Sequence, residues 1–266
     1  MNWNEFLYLA AINFALLIGL MVVLWGVSLA MKDSSIADIY WGMGFIISAW
    51  FTYFNSEGVA PRRMLILALV TLWGLRLSGY LLWRNWGKED PRYANMRKHV
   101  ESKGGNYAIH TLKMVYLLQG FFMWVTCLVL IFGLSVDTPA ELGPLAYAGA
   151  ALWLVGMFFE VVGDAQLASF RSDPSNKGKI MDKGLWSWTR HPNYFGESCI
   201  WFGFLLIASE NPWGLVTIVS PAIMLYALMG PTGKALTERR MSKSRPDFES
   251  YVRRTSGFFP LPPKKV

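Results

Sequence analysis

The chain has 266 residues, of which 53% are hydrophobic and 16% charged, against roughly 25% charged in an ordinary soluble domain. Thirteen Trp and seventeen Phe add to the apolar bias, and the formal net charge is +7. This composition argues against a soluble all-α core, which would have to bury four very long helices, and the charge needs no nucleic-acid partner to explain it.

The first apolar run, Phe6 to Met31, exceeds the length of a secretory signal. Its flank is acidic at Glu5 and no small-residue cleavage site follows, so it reads as a retained transmembrane helix. The second, Ile39 to Ser56, is opened by Asp38, Tyr40 and Trp41 and closed by the turn Asn55-Ser-Glu-Gly58. The third, Met64 to Trp83, carries Arg76 and Tyr80, with Arg84 at its end, at i, i+4 and i+8 on one helix face. The fourth, Met114 to Val136, ends at Asp137-Thr-Pro139. The fifth, Leu142 to Phe159, runs on into Glu160, Asp164 and Arg171, which share a face. The sixth, Tyr194 to Ser209, carries Glu197 one turn after Asn193 and follows Arg190-His191-Pro192. After Glu210-Asn-Pro212 the seventh, Asn211 to Gly233, leads to Glu238, Arg239 and Arg240. A helix needs about 20 apolar residues to cross a bilayer. The pattern predicts an all-α polytopic membrane protein of seven transmembrane helices, forming one domain over residues 1–266.

Charge orients it. Of the 25 Lys and Arg, only Arg62 and Arg63 fall on one side and Arg76 within a span, while the rest fall on the other side. Lys and Arg favour cytoplasmic loops, which puts the N-terminus outside and the C-terminus in the cytosol. The location expected is a cell membrane, the inner one in a bacterium. Cys127 and Cys199 lie far apart at membrane depth, and the three His show no ligand spacing, so neither a disulfide framework nor a metal is expected.

Ionisable groups at membrane depth are costly and mark functional sites. Arg84 alone reads as an interface residue that snorkels, whereas Arg76 lies about two turns deeper. Asp38 has a simpler reading as a first-turn carboxylate favoured by the helix dipole. The Glu160 face has one as an intrahelical charge network, and Glu238 to Arg240 one as a solvated helix end. The backbone N–H groups opening the sixth span attract phosphate, and Arg190 adds a bidentate donor. Orientation and spacing thus place a pocket for an anionic cofactor at the cytosolic boundary. No G-x-G-x-x-G following a strand and no Walker A pattern is present. Composition and spacing stop at a membrane enzyme or transporter with such a pocket.

The stretch Gly184-Leu-Trp followed by Arg190-His-Pro-Asn-Tyr-Phe-Gly-Glu197, with Arg254-Thr-Ser-Gly-Phe-Phe-Pro260, resembles the steroid 5α-reductase family in its bacterial branch, formerly a domain of unknown function. The resemblance covers most of the chain, is strongest from Glu160 to Pro260, and implies cofactor motifs between about residue 110 and residue 266. It implies NADPH-dependent reduction of a 3-oxo-Δ4 steroid, with a steroid or other lipid-like substrate, surrounding membrane lipids and no required protein partner. By resemblance Asp164, Arg171, Asn193, Tyr194 and Glu197 hold the dinucleotide, helped by Arg190, His191 and the end Glu238, Arg239 and Arg240. Glu160, Arg76 and Arg84 line the same pocket. The family's second-span acid is best matched by Asp38, whereas Trp73 stands where its third-span Tyr belongs. Tyr80 and Tyr40 are the substitutes, with Trp41 beside them. Asp38 is expected to stay protonated through burial and to donate to the enolate oxygen. The Arg-His-Pro core is shared with isoprenylcysteine carboxyl methyltransferases, which bind S-adenosylmethionine. A transporter would show paired repeats with broken helices, and none is visible.

Overall fold

A computed structural model describes residues 2–85, 87, 89–230 and 233–264. Lys88, and Pro231 and Thr232 within the seventh expected segment, lie outside the described residues. Among the described residues every regular element is helical. Five helical stretches are long and apolar enough to cross a membrane: Trp3–Met31, Ala60–Asn85, Tyr107–Ser135, Pro144–Ser172 and Pro212–Ser244. The other two expected spans are helices α2 (Ile36–Phe54, 19 residues) and α9 (Pro192–Ala208, 17 residues), which are not among the five.

The chain divides into two compact units, Met1–Ala146 with Ile207–Ser220, and Tyr147–Leu206 with Pro221–Val266. The first contains α1 (Trp3–Met31), α2, α3 (Ala60–Asn85), α4 (Pro91–Ser102), α5 (Tyr107–Thr111) and α6 (Leu118–Ser135). Helix α1 starts where Asn2 accepts from the Glu5 N–H, and it stops at Lys32, whose φ of 54° is left-handed. Asp90 caps α4 and Pro91 supplies its first turn. Helices α2 and α3 meet backbone to backbone at Gly42 and Gly74, where a Cβ on Gly74 would sit 2.7 Å from the Gly42 carbonyl oxygen. Asn13, Ser48 and Thr52 satisfy one another inside this unit: the Asn13 amide donates to Thr52 Oγ1 at 3.0 Å, and Ser48 Oγ donates to Asn13 Oδ1 at 2.7 Å. Arg62 is fully buried, donating to the carbonyls of Val136 and Pro139. Leu72 on α3 is 59% exposed and Trp83 67%, apolar surface suited to lipid rather than water.

The second unit holds most of α7 (Pro144–Ser172), α9 and α10 (Val219–Met229), together with α8 (Leu185–Trp188), α11 (Lys234–Ser244) and α12 (Phe248–Arg254). Its spine is a glycine contact. A Cβ on Gly156 of α7 would lie 2.5 Å from the Gly196 carbonyl oxygen of α9, and one on Gly203 would lie 2.7 Å from that of Gly149. With no side chains between them the two backbones touch, the usual means of close helix packing in lipid.

Candidate functional site

This glycine seam determines which side chains flank the start of α9. Glu160 and Asp164 project from α7 beside it and are buried, at 2% and 7% exposure. Glu160 lies over Gly196, whose added Cβ would come 2.9 Å from Glu160 Cγ, and Pro192 packs on Gly163. Glu197, also buried, accepts a hydrogen bond from Trp201 Nε1 at 2.8 Å, one turn along α9. Asn193 and Tyr194 are half-buried. The structure thus gathers Glu160, Asp164, Asn193, Tyr194 and Glu197, while Arg171, Arg239 and Arg240 are exposed on the same unit.

Arg190 and His191 have partners that their sequence neighbours do not reveal. Arg190 Nε donates to Glu238 Oε1 at 2.9 Å, and its Nη1 donates to the Thr255 carbonyl at 2.6 Å. Its own N–H donates to the Ser256 carbonyl, and Thr189 pairs with Ser256 in a parallel bridge. His191 Nε2 lies 3.0 Å from the same Glu238 oxygen, and its ring stacks on Tyr194 at 5.1 Å. Burial pulls the imidazole below its ordinary range, against the opposing pull of the Glu238 carboxylate. The neutral ring then donates through Nε2–H. Lys234 reaches the other Glu238 oxygen at 3.5 Å. Glu238 is the hub that ties α11 and the tail to the approach to α9, and Arg190 is a structural clamp. The motif from Arg254 to Pro260 supplies the strap that Arg190 grips, and Tyr251 fastens it further by donating to the Trp186 carbonyl at 2.7 Å.

In the first unit, Asp38 on α2 accepts from Tyr93 Oη at 2.7 Å and from Arg92 Nη2 at 2.6 Å. Arg92 also forks onto Asp90, and Gln119 Nε2 donates to Tyr93 Oη at 3.4 Å. Burial, then the neighbouring Asp38, push the Tyr93 phenol upward, so it keeps its proton. Both Asp38 oxygens thus accept hydrogen bonds from side chains far along the chain, partners that its own sequence neighbours do not reveal. The sequence does not single out Gln119, a lone polar residue near the start of α6, nor Tyr93 and Arg92, because α4 is a mostly polar helix in a connection between apolar runs. The Asp90-Pro91 start was its one visible signal. Tyr80 lies between two cations, with the Arg76 and Arg84 guanidinium carbons 5.6 and 5.8 Å from its ring centre. Trp41 packs edge-on against Phe45.

The chain belongs to the family described as "protein of unknown function (DUF1295)", whose model matches residues 24–255. Partial matches to named enzymes make this a steroid 5α-reductase-like family. An uncharacterized protein of Schizosaccharomyces pombe is 26% identical over 90% of this chain and 76% of its own length. The 3-oxo-5-alpha-steroid 4-dehydrogenase 1 of Mus musculus is 36% identical over 85 residues, 32% of each chain. That of Bos taurus is 36% identical over 63 residues, 24% of each. The chain therefore matches about a third or less of the length of these named enzymes. No solved structure matches it.

Proposed function

We propose that this chain is a multi-pass membrane oxidoreductase that uses NADPH to saturate the 4,5 double bond of a 3-oxo-Δ4 steroid or steroid-like lipid. The observation that carries the reading is the set of buried polar groups at the start of α9 and the facing stretch of α7. The partial likeness to 3-oxo-5-alpha-steroid 4-dehydrogenase 1 supports it.

The donor set fits a dinucleotide. Carboxylates such as Asp164, Glu197 and Glu160 suit ribose hydroxyls and an amide N–H, and the Asn193 amide both donates and accepts. The exposed guanidinium groups of Arg171, Arg239 and Arg240 suit phosphates. We assign Asp164, Arg171, Asn193, Tyr194 and Glu197 to hold NADPH, which when bound supplies the hydride. Arg190, His191 and Glu238 position the approach to α9 and act through it. Tyr93 is the proposed donor that stabilises charge developing on the ketone oxygen: its single O–H, given to Asp38 in the structure, turns from that carboxylate to the ketone when substrate binds. Tyr80, with Arg76 and Arg84, is the rival.

Detergent-purified protein supplied with NADPH and progesterone is expected to consume NADPH and form the 4,5-dihydro product. Glu197→Ala is expected to weaken NADPH binding roughly ten- to a hundredfold, the worth of a lost charge-assisted hydrogen bond. Saturable binding of S-adenosylmethionine, with none of NADPH, would reverse the assignment in favour of a methyltransferase.

The same reading includes seven spans with an external N-terminus and a cytosolic C-terminus, supported by the charge asymmetry of the connections. A reporter active only in the cytosol, fused after the last residue, is expected to give signal. Activity there from a reporter that works only outside would invert the topology.

A further inference from the structure

Within the second unit lies a cavity of about 280 Å³ that the reductase reading does not use. Arg190, Arg253, Arg254 and Lys264 line it, with Val252 and Leu261 among its apolar walls and no carboxylate among its lining residues. The chain builds it by doubling back. The Leu261 N–H donates to the Trp188 carbonyl at 3.1 Å and the Lys264 N–H to the Arg254 carbonyl at 2.9 Å. These bonds bring Lys264 back to the end of α12. Gly257 keeps the space open, since a Cβ there would lie 3.2 Å from Arg190 Nη2.

The neighbouring acids only partly offset this charge. Glu238 takes the Nε edge of Arg190, and Asp182 accepts from Arg254 at 3.1 Å. Glu249 is 4.0 Å from Arg253 and 91% exposed, so solvent screens that pair. Among the described residues no ion pair involves Lys264. Four cations converging on one space repel each other unless an anion joins them. The lining indicates where the anion comes from: Leu261 is 54% exposed and Val252 38%, apolar side chains beside basic ones, as at a membrane surface.

We propose that this cavity binds the phosphate group of an anionic membrane lipid, with Arg253, Arg254 and Lys264 on the phosphate and Val252 and Leu261 against the acyl region. The proposal does not rest on the reductase reading. The test uses the full chain in a neutral detergent and follows its thermal unfolding midpoint. Dihexanoyl phosphatidylglycerol is expected to raise the midpoint saturably, whereas dihexanoyl phosphatidylcholine leaves it unchanged. The double variant Arg253→Gln/Lys264→Gln should need roughly thirtyfold more phosphatidylglycerol, from about one basic-residue contribution at each position. Lys264→Gln alone, at an exposed position, should need roughly fivefold more, and it keeps the test available if the double variant is unstable. An equal response to phosphatidylcholine, or a parent-like response from both variants, overturns the proposal. Inorganic phosphate stabilising the parent as strongly as phosphatidylglycerol would make the ligand a soluble phosphate compound, and weaker NADPH binding in the variants would make the cavity part of the cofactor site. Either result also overturns the lipid assignment.

Discussion

Gly196→Ala, a single added methyl, is expected to unfold the second unit or reduce it to a poorly packed state. The new Cβ would sit 2.6 Å from the Gly156 carbonyl oxygen, 2.9 Å from Glu160 Cγ and 3.0 Å from the Glu160 nitrogen. Two of these three atoms are backbone in the middle of a 29-residue helix, so relief requires α7 and α9 to separate along their shared seam. Overpacking of this kind costs about 1–3 kcal/mol and occasionally more, a large share of a typical margin of about 5–15 kcal/mol. Gly79→Ala is the matched control, because nothing lies within 4 Å of the added carbon. It should melt at or above the parent temperature, alanine being the better helix former. The measurement is the thermal midpoint and the monodisperse fraction in detergent. A parent-like Gly196→Ala would mean that the close approach of α7 and α9 is not what holds this unit.

Much of the fold was legible because lipid and helix impose simple rules on sequence. Each of the seven apolar runs is helical over most of its length, and the turns at Asn55 to Gly58 and Asp137 to Pro139 separate helices as their composition demands. The glycines at 149, 156, 196 and 203 were in view but carried no signal by themselves. A seven-residue spacing marks a helix face without naming what it faces, and the partner helix lies some forty residues away in the chain.

The candidate site was legible in part, and the division has a physical basis. Glu160 and Asp164 sit one turn apart on a helix, so local periodicity put them on a common face, and the structure buries both. The sequence places Arg190 before a helix N-terminus, where a bidentate donor suits phosphate. The protein partners it has in the structure are Glu238, Val252 and Thr255, between 48 and 65 residues along the chain. A guanidinium at a helix entrance serves a ligand or a strap equally well, and only tertiary contacts decide. Asp38 shows the same limit. Its helix position was visible, but the Tyr93 and Arg92 that fill both its oxygens lie 55 and 54 residues away.

Those contacts shape the last prediction, which separates three candidates for the group that meets the ketone oxygen. If Tyr93 donates to the developing enolate, Tyr93→Phe removes a hydrogen bond that strengthens mainly in the transition state. kcat is then expected to fall on the order of a hundredfold or more, with NADPH affinity unchanged. Asp38→Asn should fall nearly as far by a different route. The amide keeps one acceptor oxygen but presents N–H groups toward Arg92 or Tyr93, so either the ion pair or the phenol loses its hold. Because the two residues act as a unit, the double variant should be little worse than either single one. Tyr80→Phe leaves this assembly untouched. It also keeps the aromatic ring that faces the Arg76 and Arg84 guanidinium groups, so it should retain near-parent kcat. The converse pattern, an inactive Tyr80→Phe beside active Asp38→Asn and Tyr93→Phe, would assign the donor to α3. The Asp38–Arg92–Tyr93 cluster would then be the tie that fastens α4 to the start of α2.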